Sequence, residues 1–283
     1  MKLDPASLRT KEVLAWEGVH LLHFSQSGCS QKVRILLAEK GVSYRAMDVD
    51  ILHGANATPW FLGINPRGLV PVLVHDGDVH VESNDILRYV DAAFPSERSW
   101  MPEGAAEERI LGELLDLEDA LHLPLRVVTM GFLAPPAAVK KSAAELQAYA
   151  RNGAEDPTRR AQVAWWRAFG ERGGVSPDEA RDAVRAFRRA FTELDAIAAE
   201  GPWLLGQHPT VLDIAWFISL HRVALAGYPL EAHPHLARLY ARMKARPAWT
   251  RELAKGPLHV RLGGPVYRAW RQLRGTTLRA VDA

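Results

Sequence analysis

Three short stretches carry residue types that could do chemistry, and each stands beside a turn. Ser27-Gly28-Cys29-Ser30 opens a helical pattern. A hydroxyl or thiol there feels the positive end of the helix dipole, which favours a thiolate, whether that of Cys29 or that of a ligand. Val70-Pro71 lies inside an apolar run that follows the turn Asn65-Pro66-Arg67-Gly68. Proline removes a ladder hydrogen bond, and it is the residue for which a cis peptide is cheap. A cis proline leaves the preceding N–H and C=O to pair with an extended ligand. Glu82-Ser83 opens another helix, with Ser83 as a natural N-cap and the first-turn amides as an anion site. Each stretch also has an ordinary structural reading: capping serines with Cys29 as a small buried apolar group, an edge-strand proline, and a self-capped helix.

The elements that must position these residues follow from periodicity. Val19 to Phe24 reads as a buried strand and Cys29 to Lys40 as a helix stopped by Gly41. Tyr44 to Ile51 can form a second strand. Leu69 to Val74, Asp76-Gly77 and Val79 to Val81 form a hairpin, and a helix through Ile86, Tyr89, Val90 and Ala93 ends at Pro95. The order β-α-β, loop, β-hairpin, α is that of a small α/β domain over residues 19–94. Residues 95–104 read as a linker. From 105 to 254 the spacing is helical throughout, as in Ile110, Leu114, Leu117, Leu121 and Leu125, and in Val184, Phe187, Phe191 and Leu194. Thr210 to Asp213 resembles a capping box. The stretch 134–175 is rich in Pro, Gly and charge and resists assignment. Residues 1–18 form a lead and 255–283 a basic tail, whose charge suits contact with nucleic acid or lipid, although Tyr267, Trp270 and Leu273 at helical spacing suggest a helix packed on the body.

The chain has 283 residues, 48% hydrophobic and 24% charged, with a net charge of +2, the composition of a folded water-soluble protein. That net charge is too small to argue for nucleic acid as a partner, although the tail alone carries six basic residues against Asp282. No apolar run approaches the roughly 20 residues of a membrane span. The opening residues lack the order of a signal peptide, so a cytoplasmic location is expected. The single cysteine, Cys29, excludes an intramolecular disulfide and any multi-cysteine metal site, and His20/His23 and His233/His235 lack a third ligand at helical spacing, so no metal is expected.

The order and spacing of SGCSQKVRILLAEKG, INPRGLVPVLVHDG and ESNDILRYV resemble the N-terminal domain of cytosolic glutathione transferases. The helical second half fits that family's C-terminal domain. The resemblance implies a thioredoxin-like α/β domain followed by an all-α helical bundle, with glutathione as co-substrate and no metal. It implies that Val70 pairs through its backbone with the cysteinyl segment of glutathione, with Pro71 in cis, and that Glu82 and Ser83 hold the γ-glutamyl end. Asn56, with His53 as a looser candidate, falls where theta- and zeta-class relatives place a residue near the glycyl carboxylate. Leu69 departs from the family, many members of which have Gln or Lys there.

Ser27 matches the serine that assists the glutathione thiolate in zeta-class enzymes. Cys29 matches the cysteine of beta-class enzymes and of tetrachlorohydroquinone dehalogenases. Ser27 is preferred as hydrogen-bond donor, because lowering a thiol pKa from about 9 towards 6.5 needs only about 3 kcal/mol, within reach of one donor and a helix N-terminus. The long insertion and the NPRG-x-VP run look like bacterial β-aryl etherases, whereas LLGQHPTVLDIAWFISLHR is close to the dehalogenases. The shared expectation is attack of glutathione thiolate on a hydrophobic electrophile, such as an aryl ether or halide. The alternatives are a glutathione-dependent isomerase or thiol-transferase, and a non-catalytic binding protein on the same fold. The resemblance further implies a homodimer and an insertion seated near the electrophile; neither nucleic acid nor membrane is expected as a partner.

Overall fold

In a computed structural model, which describes residues 1–151, 157–255 and 258–282, the chain divides into two units. The first comprises Met1–Val90 with Val139–Gly173, and the second comprises Asp91–Ala138 with Gly174–Ala283.

The first unit is built on β1 (Val19–His23), α1 (Gly28–Glu39), β2 (Arg45–Asp48), α2 (Pro59–Ile64), β3 (Val72–His75), β4 (Asp78–His80) and α3 (Ser83–Ala93). The four strands form one sheet in the order β2-β1-β3-β4, with β1–β2 parallel and the other two pairs antiparallel. Asp76 and Gly77, at φ +48° and +82°, make the tight turn that the Asp-Gly pair requires. One face of the sheet presents Leu22, Val72, Val74 and Val79 to Phe61 and Ile64 of α2. The same cluster takes in Leu8 and Val13, so the lead belongs to this core. It also extends the sheet: Leu3 donates to the Val79 carbonyl at 2.8 Å, and Val81 N–H donates to the Met1 carbonyl at 2.9 Å. A β4 edge is thereby covered by backbone hydrogen bonds.

The second unit contains no named strand among its described residues. It runs through α4 (Ala105–Ala120), α5 (His122–Val128), the short α6 (Pro136–Val139), α9 (Pro177–Ile197), α10 (Val211–Leu225), α11 (Pro234–Lys244), α12 (Pro247–Leu253), α13 (Leu258–Leu273) and α14 (Leu278–Asp282). The insertion supplies α7 (Ala143–Arg151) and α8 (Pro157–Arg172), so the unassigned stretch is mostly helical. α10 is buried from Val211 to Leu220, and Trp216 Nε1 donates to the Leu114 carbonyl at 3.2 Å. The buried Asp213 carboxylate accepts from Leu204 N–H (3.0 Å), Thr210 N–H (2.8 Å) and Thr210 Oγ1 (3.1 Å). That is the return half of the anticipated capping box. Burial nonetheless pushes its carboxyl up to about 6 against those donors.

Residues 139–173 group with the first unit. One expectation changes. In the tail, Trp270 and Leu273 are exposed rather than packed, while Tyr267 is half-buried. Two steps of three residues leave Leu273 about 120° away from Tyr267 around the helix, so the three cannot share one face.

Candidate functional site

Sheet register assembles the candidate residues. The pairs Leu22↔Val72 and Leu73↔His80, continued along the strands, set His23, Pro71 and Glu82 in one row at a single end of the sheet. The chain leaves β1 at that end, turns through Phe24 to Gln26, and enters α1 with Ser27 as N-cap. Ser27 Oγ accepts from Ser30 N–H at 3.3 Å. Its hydroxyl proton is not used in that bond and can be donated elsewhere. Cys29, in no disulfide, is a half-buried thiol in the first turn.

Opposite Ser27's loop, the Val70–Pro71 peptide is cis, as the resemblance implies. Val70 is half-buried and follows a turn held by side-chain amides. Asn65 Nδ2 donates to the Leu69 carbonyl at 2.9 Å, and Asn56 Nδ2 donates to the Gly68 carbonyl at 2.7 Å. Asn56 is buried, and this bond gives it a positioning role in the turn. His53 stands on an exposed loop, where its ring bonds Asp50 at 2.6 Å and that hydrogen bond raises its pKa.

Ser83, expected to be the N-cap of α3, is instead its first helical residue. Glu82 occupies the position before it, and its carbonyl accepts from Ile86 N–H at 2.9 Å. Glu82 has φ +64°, in the left-handed region that a residue with a side chain enters at a cost of about 1–3 kcal/mol. Strain of this kind persists where surrounding contacts fix it, and here Glu82 is ion-paired with Arg67 of the neighbouring turn. Ser83 is buried, so its amide and hydroxyl are held at a helix N-terminus.

Several polar side chains tie these segments together, and periodicity did not point to them. Arg34 is 1% exposed and bonds His23 Nδ1 (3.3 Å) and the Ser25 carbonyl (3.2 Å), fixing the loop before Ser27. Lys32 is equally buried and donates to Asn84 Oδ1 at 3.4 Å, joining α1 to the start of α3. α1 is buried from Ser30 to Leu37, so both charged side chains lie on a helix with no solvent-facing side over that span. From the insertion, Lys141 Nζ donates to the carbonyls of Ile51 (2.9 Å) and Leu52 (3.3 Å). Arg159, 2% exposed, donates to the Arg67 carbonyl and lies over the Tyr149 ring at 4.0 Å. Gly68 makes room for it: at φ +62°, a Cβ there would stand 2.5 Å from Arg159 Nη2 and 2.9 Å from the Asn56 carbonyl oxygen.

Among the described residues, one trio of metal-ligating side chains lies close together, Glu118, Asp119 and His122 at the end of α4. Glu118 is buried there and accepts from Ser219 at 3.4 Å.

Residues 26–93 match the glutathione S-transferase N-terminal domain, and residues 147–242 match the glutathione S-transferase C-terminal domain. The chain belongs to the glutathione S-transferase family. Its fold is that of the family, a small mixed four-stranded sheet with helices followed by an all-helical domain. The human ganglioside-induced differentiation-associated protein 1-like 1 is 26% identical, over 87% of this chain and 76% of that protein. The tetrachloro-p-hydroquinone reductive dehalogenase of Sphingobium chlorophenolicum is 27% identical, over 81% of this chain and 92% of its own length. The crystal structure of the beta-etherase LigF from Sphingobium sp. strain SYK-6 superposes with a TM-score of 0.71 at 25% identity, covering 84% of this chain and 99% of that one. Both bacterial resemblances drawn from the sequence are thus found again, and the transferase reading stands on a family whose members use glutathione.

Proposed function

We propose that this glutathione S-transferase activates glutathione as a thiolate at Ser27 and directs it at a hydrophobic electrophile. The observation that carries the reading is the convergence at one sheet end of the Ser27 N-cap, the Val70–Pro71 peptide and the strained Glu82–Ser83 corner. Backbone N–H and C=O of Val70 hold the cysteinyl segment of glutathione in an extended conformation. Glu82 takes the γ-glutamyl ammonium, and Ser83 at the start of α3 takes the adjacent carboxylate. The thiol then lies near the start of α1, where the Ser27 hydroxyl donates to the sulfur while its oxygen still accepts from Ser30 N–H. The thiolate sulfur attacks an electrophilic carbon, a C–S bond forms, and the leaving halide or aryloxide departs with the bonding pair. Asn56 acts by holding Gly68, and His53 remains a candidate for the glycyl carboxylate from its exposed loop. An aryl halide and a β-aryl ether are the substrates proposed, on the strength of the dehalogenase and the etherase among the relatives. A homodimer is proposed on the family resemblance, and sedimentation as a monomer would count against it.

The test is the ultraviolet difference spectrum of bound glutathione against pH for the wild type, Ser27→Ala and Cys29→Ala. A thiolate band below about pH 7.5 that Ser27→Ala moves up by one to two units, and Cys29→Ala leaves in place, is expected from the loss of one charge-assisted hydrogen bond. Loss of the band in Cys29→Ala alone would transfer the chemistry to the protein's own thiol. Absence of both band and binding at millimolar glutathione would refute the reading.

A further inference from the structure

α13 presents an apolar stripe to solvent. Leu262, Val266, Trp270 and Leu273 are 62%, 71%, 47% and 89% exposed, and they account for four of the seven large exposed hydrophobic side chains among the described residues. Their spacing places them within about 80° of one another around the helix. The stripe is not a fraying end. On the opposite side Arg271 donates to the Gly131 carbonyl at 2.7 Å and lies over Phe132 at 4.2 Å. Beyond the helix, Leu278 is fully buried and donates through its N–H to the Ala226 carbonyl at 2.9 Å. The helix is therefore docked by one face and anchored at its end, with the apolar face held outward.

The helix itself carries charge of one sign. From 258 to 277 the chain has Arg261, Arg268, Arg271 and Arg274 and no Asp or Glu, while beyond it Arg279 is ion-paired with Glu231 and Asp282 ends α14. Arg274 lies over the exposed Trp270 ring at 5.1 Å, pairing a cation and an indole at the stripe's border. No described helix is long and apolar enough to cross a membrane. A short helix with an outward apolar face, a tryptophan and flanking arginines without acids is the pattern of a helix lying in a lipid interface. There its apolar side chains enter the headgroup boundary and its arginines meet anionic phosphates. A second copy of the chain would instead bring the same arginines against one another, with no acid on the segment to pair them. We propose that α13 seats this protein reversibly on an anionic lipid surface.

The experiment is flotation of the full-length protein with vesicles of phosphatidylcholine alone and with about 30 mol% phosphatidylserine added. The same preparations of wild type, Val266→Asp/Leu273→Asp and Arg274→Glu are examined by analytical ultracentrifugation. Both aspartates would stand on exposed positions, so folding is preserved, and circular dichroism checks it. The expected result is binding to the anionic vesicles at least about tenfold tighter than to neutral ones, blue-shifted tryptophan emission, and release when salt is raised from about 0.1 to 0.5 M. The double aspartate variant should lose binding, and Arg274→Glu should weaken it severalfold. No partition into anionic vesicles, or equal partition by the double aspartate variant, overturns the proposal. So does a wild-type oligomer that the aspartates dissociate in the absence of vesicle binding, which would make the stripe a contact between copies.

Discussion

Replacing Arg159 by methionine keeps most of the side-chain volume and removes every donor from a site that is 2% exposed. Three contributions are lost. The hydrogen bond to the Arg67 carbonyl is charge-assisted and worth about 1.5–3 kcal/mol. The bond to the Tyr149 carbonyl, at 3.4 Å, is weak, and the stack on the Tyr149 ring adds about 1–2 kcal/mol. Against these stands the cost of keeping a guanidinium out of water, which the variant recovers. The balance is a loss of about 2 kcal/mol, concentrated in the contact between α8 and the Arg67–Gly68 turn. A loss of that size multiplies the population of an opened turn by about 30. If the turn is open about 3% of the time in the wild type, it becomes open about half of the time, and glutathione affinity falls in proportion to the closed fraction. KM for glutathione should therefore rise about twofold with kcat close to the wild-type value, while Arg159→Lys recovers part of the loss. Steady-state kinetics and amide exchange over residues 64–72 and 143–172 measure the two halves of the argument. If exchange across α7 and α8 accelerates while KM stays at the wild-type value, the Asn56 and Asn65 bonds alone hold the turn and the reasoning fails.

Gly68→Ala should destabilise the first unit by about 1–3 kcal/mol, since φ +62° and the 2.5 Å approach to Arg159 Nη2 both oppose a Cβ; a lower urea midpoint at unchanged slope reports it. Val13→Ala, in a lead residue that is wholly buried against the sheet, should cost about 1–3 kcal/mol, and a thermal melt within error of wild type would show that the lead is not part of the core. Burial holds the His80 imidazole, stacked on Tyr89, down to about 4. The unfolded chain takes up that proton near pH 6.5, so stability present above pH 6.5 is lost as pH falls towards 4. His221, lowered to about 4 mainly by burial, acts in the same sense, whereas Asp213, raised to about 6, favours the folded state as pH falls through 6 towards 3.8. His80→Phe should therefore flatten the acid limb of a plot of melting temperature against pH, and an unchanged limb would remove His80 from the account.

Much of the fold was legible because it is written in local chemistry. The β1 run, the Gly41 stop, the Asp76-Gly77 turn and the long apolar spacing of α9 and α10 each depend on neighbours within a few residues, and the structure returns them as strand, helix end, hairpin and helices. The candidate residues Ser27, Val70, Pro71, Glu82 and Ser83 stand on turns marked in the sequence, and it was their order, through its resemblance to glutathione transferases, that grouped them. What periodicity could not reach were positions decided by distant partners. Lys32 and Arg34 are charged, yet α1 is covered on all sides from Ser30 to Leu37, and their polar partners Asn84, His23 and Ser25 come from other segments. Glu82 takes a left-handed φ that no property of glutamate suggests, secured by Arg67 across the sheet end. The insertion's charges gave no hint that Lys141 and Arg159 would fasten it to the Ile51–Leu52 loop and the Gly68 turn, because a carbonyl acceptor has no sequence signature. The apolar residues of α13 were visible as a helix, but which of them face water was settled by where Arg271 and Leu278 dock. Sequence sets the elements through short-range dihedral and capping preferences; long-range packing sets which faces are buried and which charges are held.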